Sequence, residues 1–283
     1  GHAYRIPNLD GSLWKGTSDG LHPELRSGDG TLLTEGVDYA LAWSIGERNR
    51  TFLHVTGMGD YEGLDETVEY VASFGAGDRW RFFKRAEYVE PAVDKGPYFK
   101  TGVVPNGRVP VVRLKYRMRE LTEDVYAFGY WNEDEQAGTA IGWHNKQFWL
   151  RAWQTSGGGT GKADVEDHVV ELNTAEGTKL DGKVVHPSLK DVRDFSQSEY
   201  CLMGRSYKSA GSRPTGKPSN CRIYGATIWM DGEKVREFTP AMTADGLEYG
   251  LFDEVEGRFW RNAGTGEVTG VKKKKTGALV MFK

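Results

Sequence analysis

Residues 112–119 read Val-Arg-Leu-Lys-Tyr-Arg-Met-Arg, so that apolar and basic side chains alternate throughout this stretch. Alternation with a period of two is typical of a β-strand, because successive side chains point to opposite faces of a sheet. The stretch therefore predicts a strand with one face on a core and the other in water. The basic side chains Arg113, Lys115, Arg117 and Arg119 could attract anionic glycans, but we favour a solvated face that discourages edge-to-edge pairing.

Similar short segments recur along the rest of the chain and are separated by Gly, Asp and Asn. Long stretches with the 3.6-residue apolar period of a helix are hard to find, so the sequence predicts an all-β protein. Asp231-Gly232 has the residue types that a type I′ turn prefers, which predicts a hairpin at this point. The other predicted strands are residues 39–43, 51–55, 67–71, 125–130, 147–153, 168–172, 221–229 and 234–238.

Composition limits the classes of protein that this chain can belong to. Its 283 residues include 37 basic and 40 acidic side chains, with 9 Trp, 13 Tyr and 12 Phe, which argues against a disordered chain. No apolar stretch reaches about 18 residues, so we expect no membrane insertion. The basic run Lys272 to Lys275 suggests nucleic acid, but the sequence pI of about 6.1 and the lack of a nucleic-acid motif argue against that partner. The chain opens at Gly1-His2 without Met or a signal peptide, which is typical of a mature fragment.

Charge divides the chain into two parts. Residues 1–75 carry 5 basic and 12 acidic side chains, whereas the rest is close to neutral apart from its lysine run. The small residues of 72–77 follow a predicted strand and favour a domain boundary there. We therefore expect a small acidic unit over 1–75, a larger unit over 78–270, and a basic tail or terminal strand over 271–283.

Two segments of the small unit carry a recognisable pattern. Residues 33–39 read Leu-Thr-Glu-Gly-Val-Asp-Tyr, and residues 55–63 read Val-Thr-Gly-Met-Gly-Asp-Tyr-Glu-Gly. This pattern resembles the immunoglobulin-like repeat of bacterial surface proteins, although residues 46–49 replace its usual Asn-Asn turn. The resemblance implies a spacer module of a surface or secreted protein, a kind of module that rarely holds an active site.

The larger unit carries several blocks of a second pattern. Glu87-Tyr88-Val89-Glu90 is followed by Tyr-Phe-Lys-Thr-Gly-Val-Val-Pro at 98–105, and further blocks follow at 221–225, 235–241, 250–260 and 262–266. These blocks resemble the concanavalin A-like (laminin G-like) lectin/glucanase domains of bacterial surface and phage proteins. The resemblance implies an antiparallel β-sandwich of jelly-roll type in an exported bacterial protein, extracellular or at the cell surface. It implies no single function, because lectins, glycosidases, adhesins and inert modules share this fold.

The acidic residues do not form a recognisable catalytic pattern. Glycosidases on this sandwich place two or three carboxylates on one face of a strand, about 5–10 Å apart, so that they flank the glycosidic bond. The clusters at 120–124, 133–135, 164–167 and 253–256 lack that alternation within an apolar strand. Residues 156–163 depart from a phosphate-binding loop at the first and last positions, and no Gly-x-Ser-x-Gly elbow occurs. We expect a protein that is not an enzyme and that needs no cofactor.

Metal ions and disulfides are less constrained by the sequence. The 6 histidines lack metal-binding spacing, but calcium stays open, because loop oxygens such as those of Asn132, Asp134 and Asp164 could bind it. Cys201 and Cys221 flank a polar loop and lie on strands that we expect to pair. They either form a disulfide that clamps this loop in an exported protein or stay buried as free thiols.

The segment Gln-Phe-Trp-Leu-Arg-Ala-Trp-Gln at 147–154 is the most informative about function. Either Phe148, Leu150 and Ala152 face the core and the alternate side chains face outward, or the reverse holds. In the first case, indole rings stand beside a guanidinium on an exposed sheet, where sugar C–H faces stack on the rings and polar groups bind hydroxyls. The candidate ligand-binding residues are Trp149, Arg151 and Trp153, with Trp143 and Trp131 on neighbouring segments.

These observations predict a non-catalytic carbohydrate-binding or adhesion module. Its partner would be a glycan or surface polysaccharide, or a host surface protein. Two alternatives stay open: a structural or protein-binding surface module without a glycan ligand, and a glycoside hydrolase on the same sandwich. The orientation of the segment 147–154 relative to the core separates a sugar-binding surface from buried tryptophans.

Overall fold

The fold is described from a computed structural model of the chain. The structure describes residues 25, 27, 31–45, 51–71, 81–93, 96–121, 125–144, 147–152, 155–157, 164–187, 192–209, 211–212, 215–243 and 248–272. The all-β prediction is confirmed, since these residues contain β-strands, one short 3₁₀ turn at Gly59–Tyr61 and no α-helix. No described helix is long and apolar enough to cross a membrane.

The strands form two sheets. In chain order they are β1 (Tyr39–Ile45), β2 (Thr51–Gly57), β3 (Asp65–Val71), β4 (Arg81–Pro91), β5 (Phe99–Lys100), β6 (Pro110–Met118), β7 (Val125–Asn132), β8 (Ala140–His144), β9 (Gln147–Ala152), β10 (Thr155–Gly157), β11 (Asp167–Asn173), β12 (Thr178–Leu180), β13 (Lys183–His186), β14 (Cys201–Leu202), β15 (Gly204–Lys208), β16 (Thr215–Pro218), β17 (Cys221–Met230), β18 (Glu233–Thr243), β19 (Tyr249–Asp253), β20 (Arg258–Trp260) and β21 (Val268–Lys272).

The larger sheet follows the order β1-β2-β3-β4-β18-β17-β6-β11-β12-β13, with β19, β20 and β21 paired alongside β18 and β4. The smaller sheet follows the order β10-β9-β8-β7-β14-β5, with β15 and β16 attached to β7. Within the described strands, all pairings are antiparallel except that of β15 with β7.

The alternating stretch at 112–119 forms most of β6, in the middle of the larger sheet. Its four apolar side chains, from Val112 to Met118, are all fully buried, as the alternation predicts. They pack in one core with Phe128 and Leu150 from the smaller sheet. Because one hydrophobic cluster receives side chains from both sheets, the larger unit is a β-sandwich.

The predicted hairpin at Asp231-Gly232 is confirmed. Both residues have positive φ, at 52° and 83°, as a type I′ turn requires, and they connect β17 to β18. Glycine and aspartate tolerate this backbone conformation better than β-branched residues do. The turn therefore fixes the pairing of two long strands in the larger sheet.

The small unit has its own hydrophobic cluster but shares the sheet of the sandwich. Leu25, Leu53 and Val68 are among the buried side chains of this cluster. Strand β3 pairs with β4 through three residue pairs, so the sheet of the small unit continues into the larger sheet. The proposed boundary at 72–77 lies outside the described residues, and the limits 1–75 and 78–270 stay predictions. Of the predicted tail 271–283, the first two residues belong to β21.

Arg85 on β4 forms partly buried ion pairs at the junction of the two units, with Glu69 of the small unit and Glu254 of the larger one. Its Nε donates to Glu69 on β3 at 3.0 Å, and its Nη1 lies 2.6 Å from a carboxylate oxygen of Glu254. The guanidinium carbon also lies 4.9 Å and 4.8 Å from the ring centres of Phe83 and Phe252. The junction is therefore held by charge and by aromatic packing in addition to the β-ladder.

The expected pairing of the cysteine strands is wrong. Cys201 on β14 lies opposite Lys100 and Gly129 in the smaller sheet, whereas Cys221 on β17 lies opposite Met118 in the larger sheet. Both cysteines are buried free thiols. The short separation of the two cysteines in the sequence suggested that their strands pair. After the intervening β15–β16 hairpin, however, the chain continues in the other sheet.

Candidate functional site

Strand β9 presents its tryptophan and arginine on the outer side of the smaller sheet. Phe148, Leu150 and Ala152 are 1%, 4% and 4% exposed, and the first two belong to the core cluster. Trp149 and Arg151 are half-buried and lie outside that cluster. Of the two orientations that the sequence left open, the structure has the one with the apolar residues inward. Trp153 lies outside the described residues.

Arg151 lies against two indole rings. Its guanidinium carbon is 4.4 Å from the ring centre of Trp131 and 5.8 Å from that of Trp149. One of its amino groups, Nη2, also donates to the backbone oxygen of Gln136. Partial burial lowers the pKa of Arg151, and the nearby charge of Arg205 acts in the same direction. The group is thus a cation held beside two aromatic rings.

Gly142 on β8, which lies between β7 and β9 in the smaller sheet, lets two aromatic rings come into contact. Gly142 lies between Tyr126 on β7 and Trp149 on β9 in the register of the sheet. A Cβ at Gly142 would approach the Cα of Tyr126 to 2.6 Å, which real side chains do not tolerate. Across this gap the Tyr126 and Trp149 rings pack edge to face, with centres 5.8 Å apart.

The sequence did not point to Arg205 and Tyr207, which extend this surface from β15. Arg205 is 5% exposed, and its guanidinium carbon lies 3.8 Å from the Tyr126 ring centre and 5.7 Å from that of Trp131. Tyr207 lies opposite Trp131 because β15 pairs in parallel with β7. We call the following six residues the aromatic–arginine face, of which Tyr126 and Arg205 are buried and support the other four: Tyr126, Trp131, Trp149, Arg151, Arg205 and Tyr207.

Trp143 does not belong to this face, which corrects its place among the candidate ligand-binding residues. It is 2% exposed and packs edge to face on Phe148 in the core, with ring centres 5.2 Å apart. Trp143 lies directly opposite Phe148 in the β8–β9 pairing, and residues opposite each other point to the same side of a sheet. Once Phe148 is inward, Trp143 must be inward as well.

The loop oxygens considered for calcium are engaged by the protein's own donors. Asn132 accepts a hydrogen bond from the backbone of Asp134, whose carboxylate lies 3.0 Å from Lys208. Asp164 accepts from His168 at 2.7 Å and from the backbone of Glu166 at 3.0 Å. Within the described ranges, no group of three or more His, Cys, Asp or Glu side chains is placed to hold a metal ion.

His168 is held between two carboxylates at the edge of the core. Its Nδ1 lies 2.8 Å from Asp181, and its Nε2 lies 2.7 Å from Asp164. Burial opposes the charged form, yet the hydrogen bonds that the charged ring donates to Asp181 and Asp164 together raise the pKa of His168 above its usual range. This arrangement ties β11 to the turn after β12, and we assign it a structural role.

The basic stripe on β6 is matched by neighbouring carboxylates and aromatic rings. Lys115 lies 5.0 Å from the Tyr224 ring centre, Arg117 is 3.8 Å from Asp167, and Arg119 is 3.5 Å from Glu90. Arg117 and Arg119 are compensated by carboxylates, and charges compensated in this way attract distant anions only weakly. The contacts agree with our preference for a solvated outer face of the larger sheet.

No family model matches this chain, and neither the curated proteins nor the solved structures include a significant match. The resemblances to an immunoglobulin-like repeat and to a concanavalin A-like domain therefore stay predictions. What the structure establishes is a β-sandwich with an aromatic–arginine face on its smaller sheet.

Proposed function

We propose that the protein is a non-catalytic carbohydrate-binding or adhesion module whose ligand lies on the aromatic–arginine face. The observation that carries the proposal is the position of Trp131 and Trp149, half-buried on the outer side of the smaller sheet and in contact with Arg151. Both indoles are partly exposed, while their contacts with neighbouring side chains fix their orientation.

This arrangement suits a saccharide for physical reasons. Sugars present flat patches of C–H groups, which pack on aromatic rings, and hydroxyls, which accept hydrogen bonds from a guanidinium. Because Arg151 is already ordered against two rings, a ligand does not need to immobilise it, and less conformational entropy is lost on binding. By the two resemblances, such a module would belong to an exported bacterial surface protein. A surface polysaccharide, a glycan or a host surface protein would be its partner.

The described carboxylates favour binding over hydrolysis. Asp134 pairs with Lys208, Asp164 with His168, and Glu254 with Arg85. Paired-carboxylate hydrolysis instead needs an acid and a base or nucleophile that flank one bond in a cleft. The clusters that contain these residues are used for structural ion pairs, so we propose no catalytic step.

A glycan array tests the proposal. Wild-type protein should bind at least one class among neutral, sulfated and sialylated glycans, and Trp149→Ala and Trp131→Ala should each weaken that binding at least tenfold. Loss of an aromatic anchor in an interface typically costs about 2 kcal/mol or more, which exceeds the 1.4 kcal/mol of a tenfold change.

Trp229→Ala provides the matched control, because Trp229 is half-buried on the outer side of the other sheet, between the buried Ile228 and Met230. It should leave glycan binding unchanged. Unchanged binding in folded Trp149→Ala and Trp131→Ala proteins would overturn the proposed face. Absence of any glycan binding by the wild type would instead favour a structural or protein-binding module.

A further inference from the structure

A second concave site lies beside the aromatic–arginine face, on the other side of the β15–β16 hairpin. It is a cavity of about 780 Å³, within the range of about 300–1,000 Å³ that is typical of small-molecule sites. Ser206 lines this cavity, whereas its neighbours Arg205 and Tyr207 belong to the aromatic–arginine face. Since alternate residues of a strand point to opposite sides, the hairpin separates the two surfaces.

Residues 96–98 and 262–265 lie far apart in the sequence, but hydrogen bonds join them at this cavity. The backbone N–H of Tyr98 donates to the Asn262 side chain at 3.1 Å, and the N–H of Ala263 donates to the Tyr98 oxygen at 2.9 Å. The N–H of Thr265 donates to the oxygen of Gly96 at 3.1 Å. The wall built by residues 96–104 and 263–265 is therefore fixed before any ligand arrives.

The Tyr98 ring forms an aromatic part of the cavity wall because two glycines leave room for it. A Cβ at Gly216 would lie 2.2 Å from the ring carbon Cζ, and one at Gly264 would lie 2.7 Å from Cδ1. Both glycines also line the cavity. The ring is thus wedged between two backbone segments and presents a rigid apolar surface, on which a ligand can pack at low entropic cost.

The charges in the cavity balance each other. Lys100 lies 3.0 Å from Glu199, and its hydrogen bond with this carboxylate raises the pKa of Lys100. Glu199 also accepts from the backbone N–H of Gly102 at 3.0 Å. Among the described residues that line the cavity, these are the one cation and the one carboxylate. The other polar lining side chains are neutral: Gln197, Ser198, Ser206, Thr215 and Thr265.

This composition selects the chemistry of the ligand. An anion would approach Glu199 and a cation would approach Lys100, so a net charge gains little in this cavity. A neutral polyol, in contrast, can donate to the carboxylate, accept from the ammonium and exchange hydrogen bonds with the hydroxyls, while its C–H face packs on Tyr98.

We propose that this cavity binds a short neutral saccharide, such as the end of a glycan chain, independently of the aromatic–arginine face. The inference rests on the proposed carbohydrate-binding function and gives it a second site with a defined ligand class. Burial raises the pKa of the lining Cys201 thiol to about 12, so this side chain is a neutral thiol at neutral pH.

Isothermal titration calorimetry with soluble trisaccharides tests this proposal. The probes are maltotriose, cellotriose, xylotriose and mannotriose as neutral ligands, and trigalacturonate as an anionic one. At least one neutral trisaccharide should bind the wild type, and trigalacturonate should bind at least tenfold more weakly. Thr215→Trp, which fills the cavity from an exposed position, and Lys100→Met should each weaken neutral binding at least tenfold.

Lys234→Met is the matched control, because Lys234 forms a comparable exposed ion pair with Glu237 away from the cavity. It should bind the trisaccharide like the wild type. Urea unfolding midpoints verify that each variant is folded.

The outcomes separate the two proposals. Trisaccharide binding that the cavity variants leave unchanged overturns the cavity site, and the aromatic–arginine face then stands if Trp149→Ala reduces binding. Loss of binding in the cavity variants supports the cavity site, and the aromatic–arginine face is then judged by the glycan array alone. Failure of every neutral trisaccharide to bind the wild type overturns the cavity site, even if the array detects longer glycans.

Discussion

Replacement of Arg85 by methionine should destabilise the protein more than any comparable change at an exposed ion pair. The variant Arg85→Met keeps a long side chain but removes the guanidinium that contacts both Glu69 and Glu254. These two side chains are only 4% and 9% exposed, so water compensates poorly for the lost cation. Removing one partner of a buried ion pair typically costs about 3–5 kcal/mol, and we expect a loss of unfolding free energy in this range.

Urea unfolding followed by far-UV circular dichroism measures this loss. The control Lys234→Met breaks an ion pair whose side chains are 39% and 27% exposed, and such pairs contribute at most about 1 kcal/mol. Arg85→Lys should fall between the two, because lysine keeps the charge but cannot bond both carboxylates with a planar fork. A loss below about 1 kcal/mol in Arg85→Met would refute the assignment of the junction as a charge-stabilised contact.

Three further predictions concern the core and the candidate site. The pKa of His168 is raised in the folded state, so its positive charge stabilises the fold below about pH 6.5, the usual histidine value. This stability is lost as the pH rises through the folded-state pKa, and the urea midpoint of the wild type should fall over the same interval. The midpoint of His168→Gln should change less, and equal slopes in the two proteins would contradict the prediction. Gly142→Ala should lower the free energy of unfolding by about 1–3 kcal/mol and weaken the binding of any glycan that depends on Trp149, because its Cβ would collide with Tyr126. A variant with the stability and glycan binding of the wild type would count against this packing. Burial raises the pKa of Cys201 and of Cys221, so a disulfide reagent at pH 8 should label native protein only as fast as it opens, and immediate labelling would disagree with the buried thiols.

Local patterns in the sequence were sufficient where one strand or one turn decided the outcome. The alternation at 112–119 correctly predicted that Val112, Leu114, Tyr116 and Met118 face the core, and Asp231-Gly232 marked the turn between β17 and β18. In β9, the same reasoning gave two orientations but could not choose between them, since tryptophan suits either a core or an aromatic surface. Phe148 and Leu150 settled that choice by packing between the sheets.

The remaining features depend on contacts between distant segments, which spacing along the chain does not encode. Trp143 points inward because it lies opposite Phe148 on β9. Arg205 contacts Tyr126 because its strand, β15, pairs in parallel with β7. Cys201 and Cys221 are separated into different sheets by the intervening hairpin. Register and sheet order, rather than residue type, decide these positions.

The ladder between β3 and β4 has a geometric consequence for recognition. Three residue pairs and the Arg85 contacts oppose independent rotation of the small unit relative to the sandwich. Under the proposed function, a swivelling tether would let a receptor point its ligand side in many directions, whereas this attachment would preset the angle. Capture of a polysaccharide would then depend on how the two units stand on their support.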